Sequence, residues 1–355
     1  MAADQPAQGP DPLAAGAAVP WSARAREVGL RVGGLVFAIV IVIAVFAVLS
    51  KPNTFLTLTN GLGIMRSMST LAIVGLGLTL VIVVGEIDLS IGYMYGLAAT
   101  LCAVAWINWG WPVYLAIVFA LACAALVGMI NGLLVTIVKI PSFIVTLGMG
   151  QLIFGMTLLT SNTANLNPSY PTGGKPVPQG EIDWFFGLSN QDLPFDIPMQ
   201  GLWMIGIAIV VGLVLARSLF GFRLKAIGGN ALAAELARLP IRKYKFAAFM
   251  TCSMLAAAAA ILDFAFIGST QPNAGVSLTF PVFAAVIIGG ASLSGGRGSA
   301  IGTLSGALLL AVIGNGLALL SVGSYLSQFA YGGVTIAAVV LDRFTQSLRK
   351  EGQRG

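Results

Sequence analysis

The 355-residue sequence contains no histidine. Imidazole is therefore unavailable as general base, proton shuttle or metal ligand. Charge is scarce too: Asp, Glu, Lys and Arg make up 9% of residues against 57% hydrophobic ones, and mean hydropathy is +0.92. No ordinary soluble class has that balance. The chain reads as all-α, a polytopic bundle of transmembrane helices. Its three cysteines, Cys102, Cys123 and Cys252, stand singly in apolar stretches, so they form no disulfide framework or zinc site and read as small buried apolar side chains. Nucleotide-binding machinery is missing as well. The glycine-rich run from Gly295 to Gly302 has no GK[ST] ending and lacks GxGxxG spacing, so it reads as a tight turn with close helix packing. Neither catalytic residue, metal site nor cofactor is read, and any ATP-driven function needs a separate subunit.

What is present is a motif carried twice, Val84-Gly85-Glu86-Ile87-Asp88-Leu89-Ser90-Ile91-Gly92 and Ile288-Gly289-Gly290-Ala291-Ser292-Leu293-Ser294-Gly295-Gly296. Both follow one frame: an aliphatic residue, Gly, three variable residues, Leu-Ser, one more residue and Gly. That frame pairs Gly85 with Gly289, Ser90 with Ser294 and Gly92 with Gly296. Such interruptions in apolar runs mark broken helices, the elements around which transporters bind and move solutes. Asn131-Gly132-Leu133 and Asn315-Gly316-Leu317 extend the similarity, at offsets that differ by about one helix, and two related halves are expected.

Membrane spans of about 20 apolar residues are predicted at 32–50, 61–84, 91–107, 112–138, 142–160, 201–217, 246–268, 279–291, 299–320 and 325–341. The segment 279–291 is too short to cross comfortably and reads as re-entrant. Residues 1–27, rich in Ala, Pro, Gly and Gln, read as a disordered cytosolic tail, 28–342 as the transmembrane domain and 343–355 as a second cytosolic tail. The run 32–49 lacks a small-residue cleavage site and reads as a span, not a signal peptide. The stretch 161–200, with Glu181, Asp183, Asp192 and Asp196 against Lys175, reads as an external loop. The stretch 218–245 carries Arg223, Lys225, Arg238, Arg242, Lys243 and Lys245 against Glu235 and reads as cytoplasmic by the positive-inside rule. Both termini then fall inside. The formal charge of +6 belongs to this topology, so no nucleic-acid partner is expected. Trp106, Trp109 and Trp111 suit an interface, and a cysteine at position 189 should be labelled from outside.

Within 218–245, Asn230 is a good N-cap, the alanines after it favour a short helix, and Pro240 stops it. A short surface helix has no spanning role and suits either docking to a partner or a plain connector. Asp88 and Glu86 admit two readings: capping of the helix after Ser90 at the cytoplasmic surface, or a deeper Asp88 that holds the broken segment together. Asp263 reads as a surface residue near the outer end of its helix. Ser67, Thr70, Asn131, Thr146, Gln151 and Asn315 are the helical polar residues best suited to line a path, although such side chains also bond their own backbone or neighbouring helices.

Several segments resemble the permease subunits of ribose/xylose-type bacterial ABC sugar importers: Gly85 with Ile87-Asp88-Leu89-Ser90-Ile91-Gly92, Asn131-Gly132, Pro141-Ser142-Phe143-Ile144-Val145-Thr146-Leu147-Gly148, Ala226-Ile227-Gly228-Gly229-Asn230, and the run from Ile288 to Ser299. The resemblance implies import of a monosaccharide or related polyol across the bacterial inner membrane by alternating access. It implies as partners a cytoplasmic ATPase, a periplasmic or lipid-anchored sugar-binding protein and a second permease subunit, set in membrane lipid. It places ATPase coupling on Gly228, Gly229, Asn230, Ala234, Glu235, Arg238 and Pro240. Gly85, Asp88, Ser90, Gly92, Gly289, Ser294, Gly296 and Gly298 would form the packing and bending framework. Two positions depart from the family pattern: Glu86 stands where Gly is frequent, and Arg238 where the coupling segment commonly has Gly. The alternative is an ion-coupled secondary transporter, disfavoured by the scarcity of deep acidic residues. A lipid-processing membrane enzyme would need clustered carboxylates or basic residues at one face.

Overall fold

Small residues decide which helices occupy the centre of this bundle. The computed structural model describes residues 21–171, 176–191 and 194–351. Among them run thirteen α-helices: α1 (Trp21–Leu49), α2 (Leu58–Val83), α3 (Ile91–Ala103, extended by a π-turn to Asn108), α4 (Val113–Thr136), α5 (Ser142–Ser161), α6 (Gln179–Asn190), α7 (Met199–Arg217), α8 (Leu219–Gly229), α9 (Ala231–Leu236), α10 (Ile241–Ile267), α11 (Thr279–Ile288), α12 (Ala300–Leu319) and α13 (Ser324–Glu351). The described residues include no strand, only an isolated antiparallel bridge between Leu166 and Thr270. Seven helices, α2, α3 with its extension, α4, α5, α7, α10 and α12, are long and apolar enough to cross a membrane. The chain is an all-α, multi-pass membrane protein.

The central helix α10 packs against α2, α3 and α4. An added Cβ on Gly77 of α2 would lie 2.9 Å from Cys252 Cα, and one on Gly128 of α4 would lie 2.5 Å from the Phe249 carbonyl oxygen. Small residues let the backbones approach, which is how helices gain packing energy in lipid, where hydrophobic transfer no longer separates helix from solvent. Buried Ala256, Ala257, Ala259 and Ala260 continue that surface along α10. Cys102 and Cys252 are fully buried in it and Cys123 partly so, all three as free thiols. The span of α3 is 89% buried, whereas α4 and α5 are each 28% buried and turn one apolar face outward.

Each expected apolar segment contains a helix, with edges moved by a few residues except at the start of α1 and the end of α13, which run about ten residues further. Helix α1 begins at Trp21, inside the stretch read as a tail, and residues 1–20 lie outside the described residues. Residues 343–351 continue α13. Helix α11 has 10 residues, about 15 Å, or half of a ~30 Å hydrocarbon layer. Irregular chain leads into it: the carbonyl oxygens of Ala274 and Gly275 lie where a Cβ on Gly96 or Gly92 of α3 would sit. The half-helix is thus reached through a run of turns, 272–278, packed on α3.

Three expectations change. The stretch 161–200 holds a helix, α6, because Phe185 inserts between Trp106 and Phe264 with ring centroids 5.0 and 4.9 Å away. Glu181 fixes α6 by accepting from Trp106 Nε1 at 2.8 Å and Val113 N at 3.1 Å. Trp106 is consequently 2% exposed and belongs to the core, while Trp109 and Trp111 are 49% and 40% exposed and suit an interface. Ser189 is buried, its Oγ donating to the Leu262 carbonyl at 2.6 Å. It is therefore a poor reporter of topology. Ser169, exposed in the same connection, is a better one: S169C should react with a membrane-impermeant maleimide added outside intact cells, and S189C should stay silent until the protein is denatured. Labelling of S169C only after cell lysis would invert the orientation.

Candidate functional site

The first break starts where α2 ends. Gly85 takes φ +89°, a left-handed turn suited to glycine. Its N–H bonds Ile82 O at 3.0 Å and that of Glu86 bonds Val81 O at 3.0 Å, closing the helix as a Schellman cap. Extended chain in a membrane interior needs partners for its amides. Ile87 N donates to Ser142 Oγ (3.1 Å) and Leu89 N to Thr146 Oγ1 (3.0 Å), so the first turn of α5 takes the place of the missing ladder. Asp88 is fully buried; Oδ1 accepts from Ser90 N at 2.9 Å and Ser90 Oγ at 2.6 Å, and Asn131 Nδ2 donates to Ser90 Oγ at 3.0 Å. Surface capping is thereby replaced by the deeper reading, with Asp88 tying the break to α4. Glu86 instead sits near the surface and pairs with Lys245 in the first turns of α10.

The second break follows α11 with the same cap shifted by one residue. Gly290 has φ +90°, its N–H bonds Ile287 O at 2.9 Å, and Ala291 N bonds Val286 O at 3.1 Å. Geometry therefore pairs Gly85 with Gly290, not with Gly289. Gly289 serves packing: a Cβ there would lie 2.2 Å from the Gly302 carbonyl oxygen. Nor are the serines equivalent, since Ser90 is buried and Ser294 exposed. Gly92 packs within α3, whereas Gly296 is a loop residue with φ +76°. Ser299 ends the break by accepting from Gly302 N at 3.1 Å, starting α12.

Both breaks meet the end of α8. Gly296 N donates to Val83 O, the last carbonyl of α2, at 2.9 Å. A Cβ on Gly228 would fall 1.9 Å from that same oxygen and 2.7 Å from Gly296 N. One on Gly295 would meet Gly228 Cα and Gly85 Cα, each at 2.9 Å, and one on Gly298 would meet Val83 Cγ2 at 2.6 Å. Three stretches far apart in the chain thus touch through backbone alone. Gly229 differs, because its Cβ would find only Gly296 Cα at 4.0 Å, an ordinary contact.

Beyond this junction, Asn230 Oδ1 accepts from Ala233 N at 3.0 Å and begins α9, as its N-cap chemistry predicts. Ala234 is buried under the helix, whereas Glu235 and Leu236 are exposed. Arg238 N bonds Glu235 O at 2.8 Å and Leu239 N bonds Ala234 O at 3.0 Å, a third Schellman cap, with Arg238 at φ +54°. Glycine would take that left-handed position without strain. Pro240 then precedes α10.

A second polar cluster lies toward the opposite end. Asp263 is no surface residue: it accepts from Thr70 Oγ1 at 2.9 and 2.8 Å, Tyr95 OH at 2.5 Å and Gln200 Nε2 at 2.9 Å, joining α2, α3, α7 and α10. It borders a cavity of about 300 Å³ shared with Tyr95, Thr270 and Gln271. Of the six path residues, Thr70 belongs to this cluster, and Asn131 and Thr146 hold the first break. Gln151, exposed, donates to Tyr93 OH at 3.3 Å. Ser67 is exposed and Asn315 half-buried on α12. Asp263, Tyr95 and Gln200 had one signal in the sequence, a carboxylate inside an apolar helix.

The sequence profile of the family described as "Branched-chain amino acid transport system / permease component" matches residues 60–339. The chain is 33% identical over 310 residues to the ribose import permease protein RbsC of Escherichia coli K12, covering 87% of this chain and 92% of that protein. It is 35% identical over 308 residues to the probable ABC transporter permease protein YphD of the same organism, covering 86% and 88%. Against the xylose transport system permease protein XylH of Haemophilus influenzae the identity is 30% over 368 residues, covering 89% and 97%. No solved structure matches.

Two substitutions test the junction. G228A should lower the midpoint of thermal unfolding in detergent by an amount corresponding to about 1–3 kcal/mol of overpacking, and G229A should leave it unchanged within error; equal effects would remove the backbone contact as a constraint. R238G should raise stability by about 1 kcal/mol through relief of the left-handed conformation, read as slower proteolysis of the α9 segment.

Proposed function

Since the chain belongs to the transport-system permease family that includes the ribose and xylose import permeases, we propose that it is the membrane subunit of an ATP-driven bacterial importer of a monosaccharide, pentose or hexose, or a related polyol. The observation that carries this reading is the seating of Gly228 on Val83 O and Gly296 N. A partner pressing on α8 and α9 would act at once on the end of α2 and on both breaks. ATP would be hydrolysed in a separate cytoplasmic subunit docked at the basic end, where Leu232, Leu236 and Glu235 of α9 are exposed. Positive-inside placement of that end puts both termini in the cytoplasm and the 161–200 connection outside, facing a sugar-binding protein. A second copy of the chain would complete the pore in the inner membrane.

Motion delivered to the basic end of α2 would reach Thr70, and through it Asp263 and the cavity, because α2 is one continuous helix. Alternation between inward and outward access then needs only tilting about the left-handed glycines. Asp88 and Asp263 do remove the scarcity of deep carboxylates as an argument against ion coupling. Yet each accepts from neutral protein donors, Ser90 for one and Thr70, Tyr95 and Gln200 for the other. Those bonds suit structural carboxyl groups held in place better than an exchangeable ion site.

Proteoliposomes holding the chain with its ATPase and binding-protein partners should accumulate labelled ribose or xylose only when ATP is present. Uptake driven by a sodium or proton gradient without any ATPase would overturn the reading. In the same system E235K should reduce both ATPase co-purification and uptake by about tenfold, a loss of ~1.4 kcal/mol at the docking surface, while leaving the amount of folded permease unchanged.

A further inference from the structure

We propose that the groove between α7 and α12 at the basic end binds an anionic phospholipid. The groove holds about 470 Å³ and is walled by Ile205, Ile209 and Leu213 of α7 and by Ile301 and Leu304 of α12. Ile209, Leu213 and Ile301 are 56%, 57% and 71% exposed, so its apolar wall is open. From Ile205 to Arg217 the helix rises about 18 Å, close to one leaflet of a ~30 Å hydrocarbon core. Its length and walls suit an acyl chain.

Charge identifies the headgroup. Toward the basic end the lining changes to Arg217, Lys225 and Ser299, and no carboxylate lines the groove. Arg217 is exposed and makes no ion pair with a described residue. Lys225 Nζ donates to Leu215 O at 2.8 Å, and an ammonium has two further N–H groups to offer. Ser299 Oγ accepts from Gly302 N, but the amides at the very start of α12 have no partner within their helix and carry the positive end of its dipole. Two cations, a hydroxyl and a helix start above an apolar channel match a phosphodiester on an acyl chain.

The position has a consequence for the junction already described. Arg217 ends α7, Lys225 lies one turn before Gly228 in α8, and Ser299 closes the second break, so one phosphate would tie together the three elements that a docked ATPase must move. Its leaflet rests on the orientation proposed above; the binding itself does not.

Native mass spectrometry of the full chain released from detergent, with phosphatidylglycerol or phosphatidylcholine of equal acyl length, tests the site without any transport assay. Phosphatidylglycerol should be retained preferentially. R217Q should cut that preference about fivefold, the effect of one cation near a lipid phosphate, and R242Q, an exposed cation on α10 outside the groove, should not. I209W should lower retention of both lipids by filling the channel. Equal retention of the two lipids by the unsubstituted chain, or an R242Q effect as large as that of R217Q, would overturn the proposal. So would spontaneous disulfide-linked dimers of A216C, which would give the groove to a second copy.

Discussion

Everything at the basic end depends on one steric fact, that the Val83 carbonyl, Gly228 and Gly296 occupy space in which no Cβ fits. Side-chain packing between membrane helices can slip by a rotamer. Backbone against backbone cannot, because neither surface has a torsion to adjust. A displacement of α8 must therefore be taken up by whatever yields next, and on either side that is a left-handed glycine, Gly85 or Gly290. Stiff contact and soft turn are adjacent by construction. A load placed on the junction would pass to the caps, where the angle can change.

The two breaks accomplish the same interruption by different chemistry. The first crosses protein interior, so its amides are answered by Ser142, Thr146 and Asp88, and Asn131 braces the arrangement from α4. The second folds back on itself, with Ser292 N bonding Arg297 O at 3.0 Å, and is tied to the rest through Gly296. Asp88, which accepts from both the amide and the hydroxyl of Ser90 in the first break, has Ser292 at the matching position of the second copy.

Local chemistry carried the parts that were predictable. Apolar runs mark spans because hydropathy is a property of the segment itself, and α9 follows from Asn230 and Pro240 without tertiary help. Helix α6 escaped notice because its twelve residues mix polar and apolar types, and its stability comes from Phe185 entering a pocket built by α3 and α10. Asp263 looked superficial because it lies one turn from the end of α10; Thr70, Tyr95 and Gln200, from three other helices, bind its carboxyl group. The one-residue shift between Gly289 and Gly290 is set by where α11 runs out of helical carbonyls, which repeated letters do not reveal. Contact among residues near 85, 228 and 296 is invisible until the chain is folded.

Half-helix α11 bears on how the protein is made. Ten residues span too little of the bilayer to be held there by hydropathy alone, and the irregular chain before them carries polar amides that lipid would reject. The segment gains its place through packing on its neighbours, with Gly289 against Gly302 and Ala285 against Gly306 on α12, and Val286 against Gly75 on α2. Synthesis must run well past α11 before α11 can settle. A substitution that loosens α12 would therefore be expected to loosen the seating of α11 with it.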